Sequence, residues 1–134
     1  MEKLFVTSNK YRPEILFSYE DNTFHIKGIS RPEDPSSLYM PAISWLTEFH
    51  NYLQSNGNNN FSLEDPFILQ IDLSYFNSSS AKFLFDIIMV LKMMRESGIT
   101  VSVVWFYDKT DEDMREAGEH MAELAEIDFV YLPK

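Results

Sequence analysis

Residues 66–97 read PFILQIDLSYFNSSSAKFLFDIIMVLKMMRES, and the fold turns on how they are parsed. An apolar run from Pro66 to Leu73 stops at Asn77-Ser78-Ser79-Ser80, and a longer apolar run then restarts at helical spacing. The short run, bounded by turn residues, predicts a buried strand over 67–73. Its near-continuous apolar content predicts a sheet covered by helices. The longer run predicts a helix over 78–97, stopped by Gly98 just past its end. A strand that enters a helix through a hydroxyl-rich turn leaves backbone N–H groups exposed at the positive end of the helix dipole.

Around this unit the chain supplies enough apolar material for one domain spanning 1–134. It has 134 residues, 45% hydrophobic and 15% aromatic, and no cysteine. Disulfides, cysteine-based zinc sites and thiol nucleophiles are therefore excluded. The N-terminal residues lack an apolar run of signal-peptide length, and no stretch approaches a membrane span. A cytoplasmic protein with no membrane association is expected. The formal charge is −10, from 21 acidic and 11 basic residues. Such a field repels nucleic acid and anionic membrane surfaces, so no nucleic-acid partner is expected.

Upstream of the central unit, residues 1–13 carry little pattern, and Pro13 blocks an early helix. Glu14–Tyr19 and Thr23–Lys27 read as two strands of a β-hairpin across Glu20-Asp21-Asn22. Residues 28–35, GISRPEDP, read as a rigid loop. A helix follows, with Leu38, Ala42, Ile43 or Trp45, Leu46, Phe49 and Leu53 on its apolar stripe. Ser36 or Ser37 is the expected cap, and Pro41 requires that helix to begin late. Residues 54–60 are loop by composition. Downstream, Ile99–Tyr107 is the segment richest in β-formers. Thr110 starts a helix with Asp113 three residues on. Its stripe is Met114, Ala117, Met121, Leu124 and Ala125, and Ile127–Leu132 is a last strand. The predicted order is β-β-α-β-α-β-α-β: an α/β fold with a mixed sheet, an N-terminal hairpin and right-handed parallel crossovers.

Catalytic signatures are missing. The four glycines are dispersed, so there is no phosphate-binding loop, and no nucleophile elbow is present. No cofactor is called for. Glu116 and His120 are spaced i, i+4 and could share a metal ion, which would make a metal-dependent hydrolase, but two ligands on an acidic helix read more simply as a solvated face. His25 reads as a surface strand residue and His50 as a helix-end residue.

The Asn-Ser-Ser-Ser turn has a plain role as a helix cap. Three consecutive hydroxyls exceed what capping needs. A phosphate here would meet the helix N-terminus, with Lys82 one turn on, and would add about −1.5 to −2 charge. On a helical wheel Phe83, Leu84, Ile87, Ile88, Leu91 and Met94 form the core face. Ser78, Lys82, Phe85, Met89 and Met93 line the other side. That second stripe either packs under neighbouring helices or is an adaptable docking surface.

Four segments carry a family resemblance: RPEILF (12–17), KGISRPEDPSSLYMPAISWL (27–46), LSYFNSSSAK (73–82) and VVWFYDKTDEDMREAGEHMAEL (103–124). Through them the chain resembles the SiaC family of bacterial regulatory phosphoproteins, whose fold is similar to the STAS domain of anti-sigma-factor antagonists. The resemblance implies a single STAS-like domain without enzymatic activity. It implies phosphorylation of the residue after Asn77, which is Ser78, by a dedicated protein kinase, and removal of the phosphate by a metal-dependent phosphatase. The unmodified form is implied to bind and activate a diguanylate cyclase, raising cyclic-di-GMP and favouring biofilm. Asn77, Ser79, Ser80, Lys82, Phe85, Met89 and Met93 are then the expected partner-binding residues. The family commonly has threonine at the acceptor position. Asp34 stands where asparagine is expected and Ser18 where aspartate is expected. The alternative expectation is an anti-sigma-factor antagonist in a partner-switching module.

Overall fold

The computed structural model describes residues 1–56 and 60–134. Six strands and three helices follow one another as β1 (Leu4–Val6), β2 (Glu14–Ser18), β3 (Thr23–Ser30), α1 (Pro35–Ser55), β4 (Phe67–Phe76), α2 (Ser78–Glu96), β5 (Val101–Tyr107), α3 (Glu112–Ala125) and β6 (Phe129–Pro133). They form one mixed sheet whose spatial order is the chain order, β1 to β6. The β1–β2 and β2–β3 pairs are antiparallel, and β3–β4, β4–β5 and β5–β6 are parallel. Each parallel step is bridged by one helix, as strand–helix alternation requires.

The predicted order lacked β1. Leu4-Phe5-Val6 is too short to show a period, and it becomes a strand by pairing with Ile15–Phe17 on the hairpin edge. The 28–35 loop also needs correction. β3 continues to Ser30, because Gly28 takes a φ of +124° at a register shift between Gly28 and Ile29. A glycine adopts that conformation without the Cβ penalty, so the strand passes the irregularity and reaches the end of β4.

Helix starts were misplaced by the same effect twice. Asp34, not Ser36 or Ser37, caps α1: its Oδ1 accepts from the Ser37 amide at 3.2 Å and its Oδ2 from the Ser37 hydroxyl at 2.6 Å. Those bonds hold the Asp34 carboxyl below its usual range. Pro35 then occupies the first turn, where its missing N–H costs nothing. α1 therefore begins early, and Pro41 lies inside it. Pro41 is exposed, so the carbonyl it leaves unpaired can bond water. Asp111, not Thr110, caps α3 by accepting from the Met114 amide at 3.0 Å. Thr110 is held instead by Asp108. Of the predicted 54–60 loop, Gln54 and Ser55 end α1, Asn56 is its C-cap, and 57–59 lie outside the described residues.

The helices lie on one face of the sheet, α2 packed beside both α1 and α3. β4 reports this directly. Phe67, Leu69, Ile71 and Leu73 are buried, whereas Ile68 and Gln70 between them, and Ser74 beyond them, are exposed. The sheet is covered by helices as expected, but on one face only, and the other face is open. The core lies between sheet and helices, with Phe17, Phe24, Phe49, Phe67, Leu84, Ile88 and Trp105 buried in it. On α1, Trp45 rather than Ile43 is the buried member of the stripe. Gly118 is the closest contact between α3 and the sheet: a Cβ there would stand 2.7 Å from the Trp105 ring. Trp105 Nε1–H donates to the Met114 carbonyl at 3.0 Å, so the ring is clamped under the helix.

Candidate functional site

The turn from β4 into α2 is set by Asn77. Its side-chain Oδ1 accepts from the Ser80 amide at 2.9 Å, and its own amide donates to the Ser30 carbonyl at 3.0 Å. The first bond caps α2 and the second ties the cap to β3. Ser78 is therefore the first residue of α2. It is exposed, as is Ser79. Ser80 points inward and is fully buried among hydroxyls, at 0% exposure. Of the three serines, two present their hydroxyls and the third shapes the turn from below. No acidic residue lies in the first turn of α2, so the positive end of its dipole is uncompensated.

Ala81 and Lys82 lie one turn from Ser78 on the same side of the helix. Both line a groove between α2 and α3 with a volume of about 320 Å³. Phe85 of α2 and Phe76 at the end of β4 complete this side, and Ala117, His120, Met121 and Leu124 form the α3 side. Lys82 Nζ leans away from the helix end, 3.4 Å from Asp86 Oδ2 and 4.8 Å from the centroid of the Phe83 ring.

The second apolar stripe on α2 divides. Phe85 and Met89 are half-buried and packed on the core edge, whereas Met93 is 59% exposed. Phe83, expected in the core, is half-buried and stacked on Tyr39 at 5.8 Å between ring centroids. Leu124, expected on the core stripe of α3, is 59% exposed at the groove. Gly118 takes the buried place instead, because only a residue without a side chain fits over Trp105. Of the residues singled out in the sequence, Lys82 and Phe85 line this groove, and Ser78 lies one turn before Lys82. The α3 wall was missed, since no local spacing tells which flank of α3 faces α2.

The histidines are apart. His25 Nε2 lies 2.8 Å from Glu14 on the open sheet face, and its bond, with Lys27 nearby, holds the Glu14 carboxyl below its usual range. His50 bonds Ser97 at 2.8 Å, and His120 is exposed on the groove. Among the described residues no group of three or more histidines and carboxylates is placed to hold a metal ion. Among the same residues no helix is long and apolar enough to cross a membrane.

An uncharacterised protein of Pseudomonas aeruginosa strain UCBPP-PA14 is 28% identical over 123 residues, 92% of this chain and 90% of that one. The crystal structure of apo-SiaC from Pseudomonas aeruginosa superposes with a TM-score of 0.80 at 25% identity, covering 98% of both chains. SiaC in complex with the diguanylate cyclase SiaD, which it activates, superposes with a TM-score of 0.82, also at 25% identity, covering 98% of this chain and 99% of that one. A family model described as SiaC family regulatory phosphoprotein matches residues 6–134. The chain thus belongs to the SiaC family of regulatory phosphoproteins.

Proposed function

We propose that this chain is a non-enzymatic switch whose unmodified form binds and activates a diguanylate cyclase, and whose phosphorylation at Ser78 ends that binding. One observation carries the reading: Ser78 is an exposed hydroxyl at an uncompensated helix N-terminus, one turn before Ala81 and Lys82, which line an apolar groove. The SiaC structure solved with its cyclase supports the partner class. In the modification a dedicated kinase transfers the γ-phosphoryl group of ATP to Ser78 Oγ. The Oγ–P bond forms, ADP leaves, and the hydroxyl proton goes to a base of the kinase. A metal-dependent phosphatase returns the hydroxyl by hydrolysis.

The gating is electrostatic. The groove floor is apolar, so a partner contributes apolar side chains and excludes water there. A phosphate at its lip keeps its hydration shell or is buried at a large cost, and either outcome opposes docking. Lys82, Phe85 and Met93 extend the contact along α2, and Met89 supplies adaptable packing beneath them. Asn77 and Ser80 hold the turn in shape, and Ser79 presents its hydroxyl to the partner beside Ser78. The STAS-like reading of the architecture belongs to the same proposal and is tested by superposition on anti-sigma-factor antagonists.

Intact-mass analysis after incubation with the cognate kinase and ATP, followed by capture of the cyclase, tests the switch. One phosphate on the wild type, none on Ser78→Ala, and cyclase retained only by unmodified protein are the expected results. A phosphate that persists in Ser78→Ala overturns the site.

A further inference from the structure

Three buried hydroxyls lie directly beneath the Ser78 turn, and docking alone gives them no role. Ser30, Tyr39 and Ser80 come from β3, α1 and α2, and all three are 0% exposed. Tyr39 OH is 2.5 Å from Ser30 Oγ. Ser30 Oγ is 2.8 Å from Ser80 Oγ, and Ser80 Oγ is 3.3 Å from the Ser30 carbonyl. Burial pushes the Tyr39 phenol up to about 12, against hydrogen bonds that lower it, so its proton is present at neutral pH.

One proton arrangement satisfies every group. Tyr39 O–H donates to Ser30 Oγ, Ser30 O–H to Ser80 Oγ, and Ser80 O–H to the Ser30 carbonyl. That carbonyl also accepts the Asn77 amide, and Asn77 accepts the Ser80 amide. Residues 77 and 80 are thereby pinned to one residue of β3, and Ser30 is pinned to α1. Among the described residues no buried side-chain nitrogen or oxygen lacks a partner, so the chain of hydroxyls is complete. Fully satisfied buried polar chains hold one geometry, because each departure leaves a group unpaired in an apolar surround.

We infer that Tyr39 and Ser30 are positioning residues for the phosphorylation reaction at Ser78. They lock Ser80 inward, remove it as an acceptor, and hold the first turn of α2 so that Ser78, not Ser79, meets the kinase. The inference rests on the Ser78 reading above. It adds that the kinase recognises a folded, pinned helix start rather than a flexible serine-rich segment. It also makes α1 part of the site, since Tyr39 is the far end of the chain and its ring stacks on Phe83 of α2.

Tyr39→Phe is the decisive variant: it deletes one hydroxyl and keeps the stacked ring. Ser80→Ala breaks the chain at the other end. Ile88→Val, a core change in α2 away from the hydroxyls, controls for general loosening. Two readouts are taken on the whole chain. The first is amide hydrogen exchange at Ser80 and Ala81, which needs no kinase. Exchange there should rise by about twofold to tenfold in Tyr39→Phe and Ser80→Ala, as loss of one buried hydrogen bond implies. The second is steady-state phosphorylation by the cognate kinase, with the acceptor mapped by tandem mass spectrometry. In both variants kcat for Ser78 should fall about tenfold with KM unchanged, and phosphate should spread to Ser79. Ile88→Val should keep the wild-type kcat and the single site. Unchanged exchange, or an unchanged kcat and site in Tyr39→Phe, overturns the positioning role while leaving Ser78 as acceptor. A wild-type chain that takes no phosphate on Ser78 overturns the underlying reading instead, and with it the inference.

Discussion

Placing a negative charge at position 78 should leave the fold intact and weaken the partner contact, and the structure sets the size of both effects. Ser78 is the first residue of a 19-residue helix whose first turn contains no acidic side chain. An anion there faces the positive end of the dipole, worth about 0.3–1 kcal/mol of stabilisation. Lys82 lies one turn on and is now drawn to Asp86 at 3.4 Å. Its side chain is 73% exposed, so exchanging Asp86 for the new charge adds little after screening. A net gain of about 0.5 kcal/mol corresponds to a rise of about 2 °C in Tm for a chain of this size. Binding moves the other way. A charge held at the lip of an apolar groove must be desolvated or displace the partner, which weakens association by about tenfold or more. Calorimetric melting and titration of wild type, Ser78→Ala and Ser78→Asp against the cyclase measure the two effects side by side. Ser78→Ala should bind like wild type, and Ser78→Asp should melt no lower than wild type and bind at least about tenfold more weakly. A fall in Tm of more than about 4 °C in Ser78→Asp would refute the reasoning, because the charge would then act by unfolding α2 rather than by gating a surface.

Three further outcomes follow from single contacts. Gly118→Ala places a Cβ 2.7 Å from a clamped tryptophan ring and should destabilise by about 1–3 kcal/mol, read as a lower midpoint in denaturant; an unchanged midpoint contradicts the close approach. Leu124→Asp and Met93→Asp alter side chains that are both 59% exposed, so melting should shift by less than about 0.5 kcal/mol while titration with the cyclase shows weaker binding for Leu124→Asp at least. Stability should decline in acid. Glu14, Asp34 and Asp108 are each held below their ordinary values of 4.5, 3.8 and 3.8, by His25, Ser37 and Thr110 respectively. A carboxylate depressed in the fold stabilises it above the unfolded value, and that contribution fades as pH falls through the folded one. Melting should therefore be flat in these groups above pH 5 and fall below about pH 4.5, and His25→Ala should shrink the acid-dependent part.

How much of this was legible in the residues depended on whether the deciding partner was near in sequence. From Phe67 to Gly98 the succession of strand, cap, helix and stop was legible because these are local signals, although β4 runs on to Phe76 rather than ending at 73: Asn77 accepts from the Ser80 amide three residues on, and Gly98 takes a φ of +100° past the helix end. The cap errors at Asp34 and Asp111 were also local. In both, a neighbouring aspartate (two residues before Ser36, one after Thr110) took the cap, and an ionised oxygen is the stronger acceptor for an amide. The long-range features were hidden. β1 exists by virtue of β2, through pairs such as Leu4 with Phe17. Ser80 looked like a third surface hydroxyl, and its burial is decided by Ser30, fifty residues earlier. Which flank of α3 faces α2 follows from Gly118 seating on Trp105, a contact no helical wheel contains.

That last contact explains why a groove opens beside Ser78. With helices on one face only, α2 is covered by the sheet below and by α1 and α3 at its flanks, so an outward strip with Ser78, Lys82 and Met93 stays in water. α1 meets α2 through large side chains, as in the stacking of Tyr39 on Phe83. α3 instead seats on the sheet at a glycine and offers α2 small or flexible residues: Ala117, Met121 and Leu124. The α1 flank is therefore filled and the α3 flank is left as a trough, with Phe85 on one wall and Leu124 on the other. The apolar surplus on α2, excessive for a two-layer fold, is the wall of that trough. A hydroxyl at the first position of α2 stands at its open end, where a charge costs the helix nothing and costs a docked partner a great deal.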